Sequence, residues 1–303
     1  MWASDSQLQT IIRVCGQLEL RLQEPLSRHT SFRTGGPAAV MAFPKTVQEL
    51  QQLLRSAADA GVEPYLLGAG TNILAPDEGL HALVICTKDA LGGIRLTGET
   101  QMEVFSGESL ARTAVFARQH ALTGLEFAHG IPGTLGGGVY MNAGAYGGEL
   151  RQVVQSVTVL TLSGELLQFT AADCAFGYRS SVFQQTPCVI VSAQLQLQKG
   201  DPAAISETMR TLMEKRKASQ PLELPSAGST FKRPEGYFAG PLIEQAGLKG
   251  EGFGGAQVSR KHAGFIVNTG GATTADILKT IELVQTRVRQ LSGVSLEPEV
   301  RIW

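Results

Sequence analysis

The chain has 303 residues, is 43% hydrophobic and carries a formal net charge of −1. That length implies two or three domains with a sizeable core, and a near-neutral balance gives no basic footprint for nucleic acid. No apolar run reaches the ~18 residues of a membrane span, and Asp5 interrupts an N-terminus that lacks a basic region, so neither membrane association nor export is expected. Cys15, Cys86, Cys174 and Cys188 are dispersed, with no CxxC and no adjacent His. Four buried reduced thiols in a cytoplasmic protein are expected from this, with no metal site.

Thr46 and Glu49 form a T-x-x-E capping box ahead of Val47, Leu50, Leu53, Leu54 and Ala57 at helical spacing, with Gly61 at the C′ position. PYLLGAGTNIL (64–74) reads as an apolar strand entering a Gly-rich turn, and LVIC (83–86) as another strand. Short strands follow at 94–97 and 102–105, then a helix from Leu110 to His120. VTVLTL (157–162), Ser163–Gly164 and LLQF (166–169) form a hairpin, and VIVSAQLQL (189–197) a further strand. A helix near 203–217 sets Ile205, Met209, Leu212, Met213 and Arg216 on one face. A last helix after Thr274 carries Ile277, Ile281, Val284, Val288 and Leu291, and LEPEVRIW (296–303) closes the chain in strand-like alternation. This order gives an α+β protein.

GIPGTLGGGVYMNAGAYGGEL (130–150) holds eight glycines without being of low complexity. Glycine is needed where φ is positive or where the backbone must come close to something, and successive bare N–H groups suit an anion, a pyrophosphate above all. GAGTN (68–72) offers a second such loop. Neither is a G-x-G-x-x-G opening a helix, nor a G-x-x-x-x-G-K-[ST]. Tight turns in a β-rich domain remain the plain alternative.

HTSFRTGGPA (29–38), LLGAGTNIL (66–74), GLEFAHGIPGTLGGGVYMNAGAYGGEL (124–150), FGYRSSVF (176–183), SAGSTFKRP (226–234), AGPLIEQAGLKG (239–250) and LEPEVRI (296–302) together resemble the UDP-N-acetylenolpyruvoylglucosamine reductase family. The matches run in the family's order from 29 to 302. Only Glu235–Phe238 separate Pro234 from Ala239, which resembles the shorter, second subclass of that family. The resemblance implies the FAD-binding fold of the vanillyl-alcohol-oxidase type, built of two α+β subdomains, with a smaller α+β substrate domain. The implied boundaries are 1–90 and 91–203 for the two FAD-binding subdomains and 204–295 for the substrate domain, with 296–303 returning near the active site. The implied cofactors are non-covalent FAD and NADPH. Hydride passes from the reduced flavin to an enolpyruvyl ether and a proton to the adjacent carbon, giving UDP-N-acetylmuramate for peptidoglycan.

On this resemblance FAD is held by Gly68, Ala69, Gly70, Thr71 and Asn72, and by Gly130, Ile131, Pro132, Gly133, Gly136, Gly137, Asn142, Gly144, Ala145 and Tyr146. Gly137 and Gly144 are natural test positions, since a β-branched side chain disfavours φ > 0 and blocks close approach. Ser229, taken alone a turn serine or a helix N-cap, becomes the proton donor. Arg179, by default an exposed strand arginine, becomes the ligand of the substrate carboxylate. Glu299 shares a face of the C-terminal segment with Glu297 and Arg301, opposite Leu296, Val300 and Ile302. The resemblance points it at the substrate carboxylate, where donating a hydrogen bond requires a raised pKa. Lys232, Arg233 (where the family pattern has Asn), Lys249 and His262 are further substrate-binding candidates. His262 is weighed evenly against a surface histidine, and Ser31, Phe32 and Arg33 read as structural or flavin-side.

The substrate is a small UDP-sugar, and a monomer without nucleic-acid or membrane partners is expected. The rival reading is an FAD-dependent oxidase of the same fold that acts on an alcohol or sugar with O2, for which His129 is the candidate for covalent flavin attachment. A flavin- or nucleotide-binding regulatory module would not need Arg179, Ser229 and Glu299 together.

Overall fold

The computed structural model describes residues 3–303. The chain divides into two compact units, each assembled from three stretches of sequence. The first comprises residues up to Gln23, Ala39–Ala69 and His81–Lys215; the second comprises Glu24–Ala38, Gly70–Leu80 and Arg216–Trp303.

Two sheets dominate the first unit. One has the strand order Leu20–Pro25, Pro37–Ala42, Leu80–Cys86, Tyr65–Leu67. The other is antiparallel with the order Leu166–Thr170, Val154–Thr161, Cys188–Gln196, Gln101–Phe105, Ile94–Leu96. The hairpin expected at 157–169 is present, pairing Leu160 with Leu166 across a turn in which Gly164 takes a φ of 79°. Helix Val47–Asp59 follows its N-cap Thr46, whose hydroxyl accepts the Glu49 N–H at 3.1 Å. The Glu49 carboxylate takes the Lys45 N–H at 2.7 Å, so the expected box is closed one residue earlier. Helices Leu110–Gln119 and Pro202–Ser219 lie where the periodicity put them. Two hydrophobic clusters form here. One gathers Ile11, Leu50, Leu53, Leu54, Leu83 and Ile85; the other gathers Met102, Leu135, Val157, Ala193, Leu195 and Met209.

The second unit is built on an antiparallel sheet of Gly252–Phe253, Ala256–Val258 and Ile266–Asn268 and on the 19-residue helix Thr274–Ser292. Ile277, Ile281, Val284 and Val288, spaced at one stripe of a helix, are buried with Ala256, Val258 and Ile266. Each such side chain contributes about 1.5–3 kcal/mol relative to exposure. Leu291 departs from the expected stripe. It is 69% exposed, because the helix stops at Gly293 in the left-handed region just beyond it. Ile302 is likewise 51% exposed, so the alternation expected for the C-terminus buries Leu296 and Val300 only. Strand pairing there is confined to Arg301–Ile302, parallel to Ile73–Leu74.

All four cysteines are free and buried. Burial pushes the Cys86, Cys174 and Cys188 thiols up to about 11 and raises Cys15. Among the described residues no helix is long and apolar enough to cross a membrane, and no cluster of three His, Cys, Asp or Glu is placed to hold a metal ion.

The start of helix Thr274–Ser292 is closed reciprocally. Thr273 Oγ1 accepts the Asp276 N–H at 3.1 Å, and Asp276 Oδ2 accepts the Thr273 N–H at 3.0 Å. Thr273→Ala should lower stability in urea unfolding by about 1 kcal/mol, while Thr273→Ser should not. Equal loss in both variants would place the effect outside the cap.

Candidate functional site

In the first unit the glycine run is not a continuous loop. Thr134 caps a helix, Leu135–Tyr140, with its hydroxyl 3.4 Å from the Gly137 N–H. Leu135 N–H donates to Glu108 O (2.8 Å), Gly136 N–H to Ser106 O (2.9 Å) and Gly138 N–H to Thr134 O (2.8 Å). Those amides are therefore engaged inside the unit. The N–H groups of Gly68, Ala69, Gly130 and Gly133 have no acceptor among the described residues. A Cβ on Gly68 would lie 2.6 Å from Thr134 Oγ1, so the GAG turn sits against the start of the glycine run.

The two glycines singled out as test positions differ from the expectation, since neither has a positive φ; Gly133 (133°) and Gly147 (87°) do. Gly144 is needed for space. A Cβ there would come 2.7 Å from both Glu149 Cβ and Gly148 O, its partners in the two-stranded pairing of Gly144–Ala145 with Gly148–Glu149. Tyr146 (φ 54°) and Gly147 (φ 87°) form the turn of that hairpin, both left-handed as a type I′ turn demands. Gly137 faces open space, with only Thr134 Oγ1 within reach at 3.7 Å.

Asn142 is 1% exposed and left-handed (φ 43°). Its amide group donates to Glu149 Oε2 (2.8 Å) and Gly177 O (2.9 Å), and its oxygen accepts the Arg151 N–H (2.9 Å). Both side-chain hydrogens are thus used inside the unit, and the structure gives the Asn142 side chain a bracing role. Arg179 is not on a strand, contrary to its default reading. It is the third residue of the tight turn Gly177–Ser180, half-buried at φ 52°. Its Nη2 donates to Gly144 O at 3.2 Å, and its Cζ lies 5.4 Å from the Tyr178 ring centroid. Gln184 Nε2 donates to Arg179 O (2.9 Å) and Tyr140 O (3.1 Å), fixing the turn. Asn142, Gly144 and Arg179 are thereby brought together. Ser106 Oγ and His129 Nδ1 are buried with no hydrogen-bond partner among the described residues.

In the second unit Gly70 has a φ of 61°, and a Cβ there would lie 2.0 Å from His29 O. Ser31 N–H donates to Gly70 O at 3.0 Å, and Asn72 Nδ2 donates to Glu299 O at 3.1 Å. Phe32 is fully buried and Arg33 is exposed at φ 59°. Ser229 follows Gly228 (φ 78°) and caps no helix; it is exposed, with no partner for its hydroxyl among the described residues. Buried Thr230 anchors it: its N–H donates to Gly264 O (2.8 Å), its Oγ1 accepts the Ile266 N–H (3.0 Å) and its carbonyl accepts the Glu299 N–H (2.8 Å). Phe231 bridges Pro298, and Lys232 N–H donates to Glu297 O at 2.9 Å. Ser229 and Glu299 therefore stand on adjoining, antiparallel stretches.

The cations of this unit are held differently. Lys232 pairs with Glu297, and Lys249 with Glu244 at 2.6 Å. Arg233 lies over the Phe238 ring, 3.9 Å from its centroid. His262 is half-buried, edge-on to Phe265 at 4.9 Å, and its Nδ1 accepts the Gly264 N–H at 3.1 Å. Burial, reinforced by the Lys249 charge, holds its pKa below the ordinary value.

Sequence reasoning missed the Asn142 brace, the Thr230 anchor and the Phe238 ring. Asn and Thr in a β-rich chain give no pattern of their own, whereas Tyr237 and Phe238 beside Gly236 in a short turn are legible as exposed aromatics.

Two families match the chain: the FAD binding domain over residues 37–170, and the C-terminal domain of UDP-N-acetylenolpyruvoylglucosamine reductase over 220–303. UDP-N-acetylenolpyruvoylglucosamine reductase of Alkaliphilus oremlandii is 43% identical over 96% of each chain, and that of Caldanaerobacter subterraneus is 45% identical over 94% of this chain and 93% of its own. The crystal structure of the Thermus caldophilus enzyme superposes with a TM-score of 0.80 at 32% identity, covering 94% of this chain and 98% of that one. Near full-length agreement with reductases sets the oxidase reading aside and bears out the expected α+β FAD-binding fold. The chain belongs to the UDP-N-acetylenolpyruvoylglucosamine reductase family and carries its FAD-binding domain.

Proposed function

We propose that this chain binds FAD without a covalent bond, draws electrons from NADPH and reduces the enolpyruvyl ether of UDP-N-acetylglucosamine to UDP-N-acetylmuramate. The first unit fits the cofactor. The bare amides of Gly68, Ala69, Gly130 and Gly133 suit anionic phosphate oxygens, and the buried, unpartnered Ser106 Oγ and His129 Nδ1 await polar neighbours. FAD, when bound, supplies hydride transfer between NADPH and the enolpyruvyl carbon. The protein's own residues hold the substrate and place the proton.

The observation that carries this reading is Ser229: a hydroxyl without a partner among the described residues, fixed by the fully bonded Thr230 beside it and next to the Glu299 stretch. Ser229 gives its proton to the carbon bearing the substrate carboxylate. In the first unit Arg179, oriented by Gly144 O and the Tyr178 ring, carries a planar guanidinium suited to a carboxylate, and in the second unit Glu299, on the stretch beside Ser229, is the group we assign as a hydrogen-bond donor to substrate. Lys232, Arg233, Lys249 and His262 bind the remainder of the UDP-sugar. We keep a division into two FAD-binding subdomains, 1–90 and 91–203, and a substrate domain, 204–295, although Leu160 and Val191 share a hydrophobic cluster with Leu83, and Phe32 and Leu74 share one with Ile277. A cytoplasmic monomer is the form we assign, which light scattering on the purified protein checks.

Ser229→Ala should separate the half-reactions in stopped flow. Flavin reduction by NADPH should keep its rate. Reoxidation by the enolpyruvyl substrate should slow by about 10²–10⁴, or roughly 3–5 kcal/mol in barrier. Equal slowing of both steps would make Ser229 a shaping residue.

Gly137 and Gly144 test the cofactor site. Gly144→Val meets backbone and Glu149 in the protein itself, so it should lower the melting temperature of the cofactor-free chain. Gly137→Val has room in the protein alone and should leave that melting temperature in place while lowering FAD occupancy measured by absorbance. Full occupancy in Gly137→Val would remove this helix from the FAD site.

A further inference from the structure

In the second unit the stretch that closes the chain is held on both edges at Glu299. Along one edge it runs antiparallel to the residues that follow Ser229. Lys232 N–H donates to Glu297 O (2.9 Å) and Glu299 N–H to Thr230 O (2.8 Å), on either side of the Phe231–Pro298 bridge. Along the other edge it runs parallel to Ile73–Leu74, with Arg301 N–H donating to Asn72 O (3.0 Å) and Trp303 N–H to Leu74 O (3.1 Å). The next bond back in an evenly spaced parallel ladder would reach the Glu299 carbonyl. Asn72 supplies it from its side chain, Nδ2 donating to Glu299 O at 3.1 Å. The Glu299 main chain is thus gripped at its N–H by Thr230 and at its C=O by the half-buried Asn72.

We infer that the Asn72 carboxamide is a positioning residue for the proton-donor stretch. It seats the Glu299 peptide against Thr230, and Thr230 carries Ser229 as its chain neighbour. The resemblance puts Asn72 on the cofactor, whereas this side-chain donor is used inside the second unit, on the stretch that faces the proton step. Without it the 297–299 stretch is paired along one edge only and can shift away from its place beside Thr230. A shift of about an ångström at a reacting group slows a reaction by up to ~10²-fold. Asn72 therefore acts on the step that consumes the enolpyruvyl substrate and not on delivery of electrons to the flavin. The inference rests on the reduction proposed above and adds a residue to its proton step.

The test uses the FAD-loaded enzyme. Asn72→Leu keeps the outline of the side chain and removes the donor. Reoxidation of the flavin by the enolpyruvyl substrate should slow by roughly tenfold in stopped flow. Flavin reduction by NADPH, the flavin spectrum and FAD occupancy should match the parent. Asn72→Gln retains a carboxamide and should recover part of the lost rate. In a Ser229→Ala background, adding Asn72→Leu should slow reoxidation by less than about twofold further, because both changes act through one group. Hydrogen exchange followed by mass spectrometry reads the grip without substrate or turnover. The peptide 296–303 should exchange roughly fivefold faster in Asn72→Leu, as expected for one lost hydrogen bond, with helix Thr274–Ser292 unchanged. Lost FAD occupancy, equal slowing of both half-reactions, no recovery in Asn72→Gln or a fully additive loss beside Ser229→Ala would overturn the inference, as would unchanged exchange at 296–303. Absence of enolpyruvyl reduction in the parent would overturn the proposed function instead. The exchange comparison would still decide whether Asn72 holds the Glu299 stretch.

Discussion

The arrangement of the first unit depends on one buried carboxamide. Asn142 makes three hydrogen bonds from a left-handed backbone, to Arg151 N–H, Glu149 Oε2 and Gly177 O. Those bonds join the end of the glycine helix, the Tyr146–Gly147 hairpin and the turn that carries Arg179. A buried polar group left unpaired costs ~1–3 kcal/mol, so each contact penalises movement of its partner. The strained backbone at Asn142 persists because the surroundings over-determine it. Tyr146 and Arg179, with φ of 54° and 52°, share that condition.

Thr230 plays the corresponding part in the second unit. Its N–H, hydroxyl and carbonyl all bind backbone from other stretches of the unit. Ser229, one residue away, therefore has an anchored main chain and a hydroxyl with no partner among the described residues. In both units a short, fully bonded polar residue fixes the stretch that carries a proposed site residue, Asn142 for Arg179 and Thr230 for Ser229. An error of about an ångström at the reacting group costs far more rate than a surface substitution does.

The regular elements were legible because they obey period. Helices Val47–Asp59, Leu110–Gln119 and Thr274–Ser292 and the hairpin at 154–170 carry their own stripes, caps and turn residues. The glycine run was legible as a place of close approach but not in detail. Half of its reason is internal: Gly136 packs on Ser106, Gly138 on Leu150 and Leu110, and Gly148 on Phe127. Such contacts join residues far apart in sequence and leave no periodic trace. Leu291 and Ile302 failed for a simpler reason, since each stands at the very end of its element, helix Thr274–Ser292 or strand Arg301–Ile302, and is left exposed there. The division into units escaped a linear reading because each unit is stitched from three separate stretches.

The thiols have a practical consequence. With Cys86, Cys174 and Cys188 pushed up to about 11 and Cys15 raised as well, the nucleophilic thiolate is scarce at neutral pH, and every sulfur is also sterically shielded. The native chain is thus nearly silent towards maleimides and iodoacetamides. A single cysteine introduced at an exposed, uninvolved position such as Leu291 would stand out as the one accessible handle among the described residues. Fluorophores or spin labels could then be attached without first deleting any native cysteine.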